Sequence, residues 1–268
     1  MADFTGENMA GAGFEDVDLS GARFHSVNLA DSRYAKVTLQ NARLSNIDFR
    51  GVVLRGVWAV DVEVDGYLEN FRVNGVDVAP LVEAELNRRD PDRAAMFSTD
   101  PGTMREAWAV LERRWAATVE RARALPPDLL HERVEGEWSF IETLRHLVFA
   151  TDAWVSRALL GEPSPWSPLG LPHDEMEHEP AVPNDPAARP PLDEMLALRA
   201  DRMGTVREVL AGLTAERLAG MTTPVTEPGY PAPESYPVQR CLRAILVEEW
   251  EHRLFAERDL AVLEARSS

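Results

Sequence analysis

The sequence predicts an α+β, multidomain chain, with a short β-solenoid over residues 1–78, a helical linker over 79–102 and an up-down four-helix bundle over 103–265. Three observations predict it. A large apolar residue recurs at every fifth position near the N-terminus, four later stretches carry apolar residues three and four apart, and Pro-rich segments separate those stretches.

The solenoid comes first. Counting in fives from Phe4, the residues Met9, Phe14, Leu19, Phe24, Leu29, Tyr34, Leu39, Leu44, Phe49 and Leu54 are all large and apolar. Two positions before them lie mostly small or β-branched residues, among them Ala12, Val17, Ala22, Val27, Val37, Ile47 and Val52. A period of five matches neither the ~3.6 residues of a helical turn nor the alternation of a strand. It fits a chain that turns a corner every five residues and points two side chains inward at each step. The stretch FEDVDLSGARFHSVNLADSRY (14–34) resembles the pentapeptide-repeat family. That resemblance implies a right-handed quadrilateral β-helix, here of two to three coils. Some members of that family imitate DNA and inhibit gyrase. Residues 1–80 carry 12 acidic and 7 basic side chains and the other 188 carry 33 and 21, so negative charge is not concentrated on the repeats. A structural cap or docking surface is therefore the expected role.

After Trp58 the alternation of Val60, Val62 and Val64 with Asp61, Glu63 and Asp65 predicts a strand. Asn74-Gly75 predicts a turn, APLVEAELNRR (79–89) a short helix, and the Asp-Pro pairs at 90–91 and 100–101 a linker. From about Thr103 the pattern is helical, with Ala107, Val110, Leu111, Trp115 and Val119 forming one apolar stripe, ended by Pro126-Pro127. WSFIETLRHLVFATDAWVSRALLG is the second helix, with Ser139 and Glu142 at capping-box spacing. A Pro-rich connection over 162–191 follows, of a length typical of lids and binding loops. LDEMLALRADRMGTVREVLAGL is the third helix, and a second irregular stretch leads to the fourth, over 236–264.

One helical turn separates Glu248 from His252, so both face the same way and can clamp one ion. His146, in the middle of the apolar run LRHLVFATDAW, is the natural third ligand. Two imidazoles and a carboxylate leave coordination positions open, as a catalytic metal requires. Two alternatives compete. Glu249 is the rival to Glu248, and Glu142, one turn before His146, offers that histidine a partner without any metal.

The order of first helix, WSFIETLRHLVFATDAW, long loop and EEWEHRLFAERDL resembles the DinB-like superfamily of four-helix bundles over residues 103–265. The resemblance implies a divalent metal (Zn, Ni, Mn or Fe) held by a histidine of the second helix and an H-x-x-x-H pair of the last. His146 matches the first position and His252 the last, while the middle position falls on Glu248. It also implies a transferase using a low-molecular-weight thiol of the mycothiol or bacillithiol type, or an isomerase using mycothiol. Such a metal would make the thiolate available, and activation of water instead would give a metal-dependent hydrolase. The departure at Glu248 keeps open a non-catalytic scaffold with a degenerate site. Cys241, His173, His178, Trp138, Trp166, Tyr230 and Tyr236 are further residues that could approach the site, with packing or solvation as their ordinary roles.

Composition bounds the rest. A net charge of −17 argues against nucleic acid and anionic membranes as partners. No apolar run reaches the ~20 residues of a membrane span, and the single cysteine, Cys241, fits a reducing cytoplasm. The N-terminal MADFTGENMAG lacks the basic region of a secretory signal. The expected partners are a small-molecule substrate and a second copy of the chain in a homodimer.

Overall fold

A computed structural model describes residues 4–44, 47–174 and 176–267. The chain divides into two compact units, Met1–Asp65 and Gly66–Ser268.

In the first unit the backbone turns every five residues. Positive φ recurs at Gly6, Gly11, Asp16, Gly21, Ser26, Asp31, Lys36, Asn41, Gly51, Gly56 and Asp61. Each of these lies two residues after a member of the apolar ladder or its continuation, so the repeat in hydrophobicity and the repeat in backbone conformation share one period. Gly, Asp and Asn dominate because they tolerate the left-handed region best. Alternate corners are closed by a backbone hydrogen bond, such as Ala12 N–H to Met9 O at 2.9 Å and Ala22 N–H to Leu19 O at 3.0 Å. Asn8, Asp18, Asn28 and Asp48 each accept from the amide two residues on, the Asx turn. No strand forms among the described residues of this unit, and the ladder side chains are exposed. The strand expected at 60–64 is corrected accordingly. Asp61 has φ 53°, so the alternating valines flank one more corner instead of lying along a pleat.

The second unit opens with a hairpin, β1 (Arg72–Val73) and β2 (Val76–Asp77), paired antiparallel. Asn74 and Gly75 make its turn with φ 51° and 84°, the pair of positive values that an Asn-Gly turn supplies. Helix α1 (Ala79–Arg89) follows, and then a 3₁₀ segment, Pro91–Phe97. This segment is fastened to its surroundings: Arg93 pairs with Glu83 at 2.6 Å, Arg114 pairs with Asp90 and Asp92 at 2.6 Å each, and Met96 is fully buried.

Four long helices form the body: α2 (Pro101–Arg123), α3 (Phe140–Thr151), α4 (Leu192–Ala211) and α6 (Val238–Ser267), with the short α5 (Ala215–Leu218) between the last two. Helices α4 and α6 each pack against both α2 and α3. Asp100 caps α2, accepting from Thr103 N–H at 2.8 Å. Ser139 caps α3 through the reciprocal capping box, Glu142 N–H to Ser139 Oγ at 3.3 Å and Ser139 N–H to Glu142 Oε2 at 2.8 Å. Ser139→Ala is expected to lower stability by about 1 kcal/mol, read as a lower urea midpoint at unchanged slope. Met104, Trp108, Leu111, Ile245, Leu246 and Trp250 fill one part of the core, and Leu144, Leu147, Met195 and Leu260 another.

Beyond α3 the helix loosens into a π-helical stretch, Asp152–Arg157, and the connection from there to α4 has no regular structure among its described residues. Among the described residues no helix is long and apolar enough to cross a membrane.

Candidate metal centre

His146 projects from α3, and Glu248 and His252 from consecutive turns of α6, against which α3 packs. The structure brings these three together: one ligand atom from each lies within 4.8 Å of the others. Glu248 Oε2 is 3.4 Å from His146 Nε2 and 3.0 Å from His252 Nε2. Ligand atoms on a tetrahedral ion with bonds of ~2.0–2.1 Å sit roughly 3.3 Å apart, a spacing that the two carboxylate–imidazole separations match.

The orientation of His146 is fixed from its other side. Its Nδ1 lies 3.1 Å from the carbonyl oxygen of Leu171, which can only accept, so Nδ1 carries the proton. Nε2 then faces Glu248 either as the second N–H of an imidazolium or as a lone pair offered to a cation. This is the arrangement by which metal-binding histidines are held in one tautomer. Burial tends to raise the Glu248 carboxyl, but the hydrogen bonds from His146 and His252 outweigh it and hold the group well below the ordinary carboxylate range. The carboxylate is therefore charged and ready to bind a cation at neutral pH.

Both rival partners are occupied elsewhere. Glu249 is buried and accepts two bonds from Arg199 of α4, at 2.8 and 3.2 Å, pointing into the bundle. Glu142 serves the cap of α3 and pairs with Arg133 at 2.7 Å, so it is not the partner of His146.

Aromatic rings surround the ligands. Trp138, just before α3, lies 4.6 Å from the His146 ring and stacks 5.9 Å from that of His252. Phe149 is 6.2 Å from His146 and stacks on both Trp166 and Tyr230. His173, from the long connection, meets Tyr230 edge-on at 5.3 Å. The Tyr230 hydroxyl is pushed above its usual range by burial first and then by the charge of Glu248. Glu248 itself keeps 36% of its side chain exposed, so the cluster opens to solvent.

His178 is exposed and takes no part. Tyr236 packs against Trp154 and donates to the carbonyl of Ala232 at 2.9 Å. Cys241 is buried beside Ala158 and Tyr236, and burial pushes its thiol up to about 11. A dithionitrobenzoate assay at pH 8 is expected to find no reactive thiol in the folded protein, because roughly one molecule in 10³ is ionised and the sulfur is covered; one thiol per chain should react in denaturant.

The connection over 162–191, lid-like by length, is held by buried arginines. Arg145 donates to the carbonyls of Leu169 (2.9 Å), Asp185 (2.6 Å) and Ala188 (3.1 Å). Arg157 donates to Pro163 and Glu227, fastening both irregular stretches at once. Asp152 accepts from Ser167 N–H at 3.1 Å and pairs with Arg202 at 2.7 Å. None of these contacts was read from the sequence. The available signal was a charged residue, Arg145, inside the otherwise apolar run around His146.

The sequence profile of the DinB superfamily matches residues 110–256, which is more than half of the chain. The chain belongs to the DinB superfamily. All three clustered residues of its DinB domain lie inside the matched span. A pentapeptide-repeat profile matches residues 2–33, within the unit whose corners recur every five residues. No curated protein and no solved structure matches the chain.

Proposed function

We propose that the DinB domain binds one divalent metal ion through His146, Glu248 and His252 and acts as a metal-dependent transferase with a low-molecular-weight thiol as cosubstrate. The observation that carries the reading is the commitment of His146 Nδ1 to Leu171 O, which leaves Nε2 aimed at Glu248 and beside His252. When bound, a divalent ion supplies Lewis acidity that makes a thiolate, or a hydroxide, available near neutral pH. The chain's own residues do the rest. Glu248 contributes the single negative charge of the ligand set, Trp138 covers the two imidazoles, and Tyr230 and His173, which meet edge-on, are the residues proposed to face a second small molecule.

The test uses Co(II)-loaded protein. Addition of a small thiol is expected to produce a sulfur-to-cobalt charge-transfer band, absent in His146→Ala, and the loaded protein should consume thiol when an electrophile is supplied. Cobalt binding without any thiol band would overturn the transferase and favour the hydrolase. A second reading is a non-catalytic scaffold, favoured by the 3.0 Å contact in which His252 satisfies Glu248 directly. Failure to bind any of Zn, Ni, Mn or Fe would select it. For the N-terminal repeats, closure as a right-handed quadrilateral β-helix with a structural role is the proposal, supported by the left-handed residue at each described corner and the dispersed charge.

A further inference from the structure

Arg145 is fully buried, and its guanidinium donates to the main-chain carbonyls of Leu169, Asp185 and Ala188. Its neighbour is the ligand His146, and the two consecutive residues grip one short piece of the long connection at three points. Arg145 Nε donates to Leu169 O at 2.9 Å, the Arg145 carbonyl accepts from Leu171 N–H at 3.2 Å, and His146 Nδ1 donates to Leu171 O at 3.1 Å. Gly170, between the two leucines, is seated with no room to spare. A Cβ there would lie 3.2 Å from Ser167 O and 3.5 Å from Phe149 Cβ. The carbonyl that sets the proton on His146 thus belongs to a segment that the guanidinium of the preceding residue holds two residues earlier, at Leu169 O, and that its main-chain carbonyl holds at Leu171 N–H.

We infer that Arg145 is a positioning residue for the metal centre: it holds Leu169–Leu171 so that the Leu171 carbonyl locks His146 with its proton on Nδ1 and Nε2 toward Glu248. The inference rests on the metal-binding reading above, but the ring protonation of His146 is measurable without metal, so the two can fail separately. One further observation gives it specificity. Arg157 is an equally buried arginine that also fastens loop carbonyls, yet its hydrogen bonds go to Pro163, Val225 and Glu227. A general loss of loop order would follow from removing either arginine, whereas loss of the His146 tautomer should follow only from removing Arg145.

The experiment compares the full-length wild type with Arg145→Met, Arg157→Met and Gly170→Ala. Histidine ring nitrogens are read by ¹⁵N NMR of the metal-free protein at high pH, and zinc affinity by competition with a chelator. Wild type should show His146 protonated at Nδ1. In Arg145→Met that signature should give way to a mixture of tautomers, and zinc Kd should rise about 10–100-fold, the usual effect of removing an outer partner of a metal ligand. Arg157→Met should keep the signature and stay within about twofold in Kd. Equal effects in the two arginine variants, or an unchanged tautomer in Arg145→Met, would overturn the inference. If Arg145→Met does not fold, Gly170→Ala decides: displacing the segment by tenths of an ångström should perturb the His146 signal, and an unaltered signal counts against the role.

Discussion

Purified without a chelating tag, the chain is expected to carry about one divalent ion, and the His146→Ala and Glu248→Ala variants roughly a tenth of that or less. The size of the effect follows from the ligand count. A four-ligand zinc site contributes about 10–16 kcal/mol, so one ligand is worth roughly 3–4 kcal/mol, or 10² to 10³ in Kd. With three protein ligands, each loss leaves only two of the clustered donors. Glu248 is also the only anion of the set, and its loss leaves two imidazoles, whose rings lie 4.8 Å apart, facing a cation with no compensating charge. Glu248→Gln keeps the shape and removes the charge, and it should fall between wild type and the alanine variant. The same ion should stabilise the fold: a concentration about 1,000 times Kd adds roughly 4 kcal/mol, lost on chelation and absent in the variants. Metal content that survives in either alanine variant would move the site elsewhere.

The second large effect lies in the bundle interior. Arg199 and Glu249, with side chains 4% and 1% exposed, form a two-point pair between α4 and α6. Arg199 also lies over the Trp115 ring at 4.8 Å, so the guanidinium is held on a third side by α2. Glu249→Leu should cost about 3–5 kcal/mol, because the unpaired guanidinium stays in a place that water does not reach. For a domain of this size that corresponds to a fall in Tm of roughly 10 °C. The double variant Arg199→Met/Glu249→Leu should recover most of the loss, since replacing both charges by apolar groups of similar volume is often neutral or better. A double variant as unstable as the single one would show that the pair fixes the helix arrangement and not merely its own charges. Because Glu249 adjoins Glu248, metal affinity measured in both variants separates a stability effect from damage to the site.

Much of this organisation could be read from the sequence because it is written in short-range patterns. The five-residue ladder, the Ser139–Glu142 cap, the Asn74-Gly75 turn and the i, i+4 spacing of Glu248 and His252 each involve residues within one or two turns of each other. His146 could be proposed for the same site because an imidazole inside an apolar run needs a partner. What could not be read are the contacts that span the fold. Arg199 reaches Glu249 across 50 residues, and Arg157 reaches Glu227 across 70. The choice between Glu248 and Glu249 depended on one of these long pairs, since adjacent positions on a helix differ by about 100° and either could face α3. The valines at 60–64 misled for a different reason: alternation over five residues is equally compatible with a pleat and with a corner, and only the φ of Asp61 distinguishes them.

Arg145 and Arg157 grip the irregular segments through main-chain oxygens, which every amino acid supplies. Loop placement and loop sequence are thereby separated. Substitutions along 162–191 and 223–236 can alter the side chains presented around the centre while the segments keep their course, so long as prolines and glycines hold their places. The lining around the cluster can therefore change while its frame stays, and a library randomised at His173, Trp166 and Tyr230 should return folded proteins at a high rate.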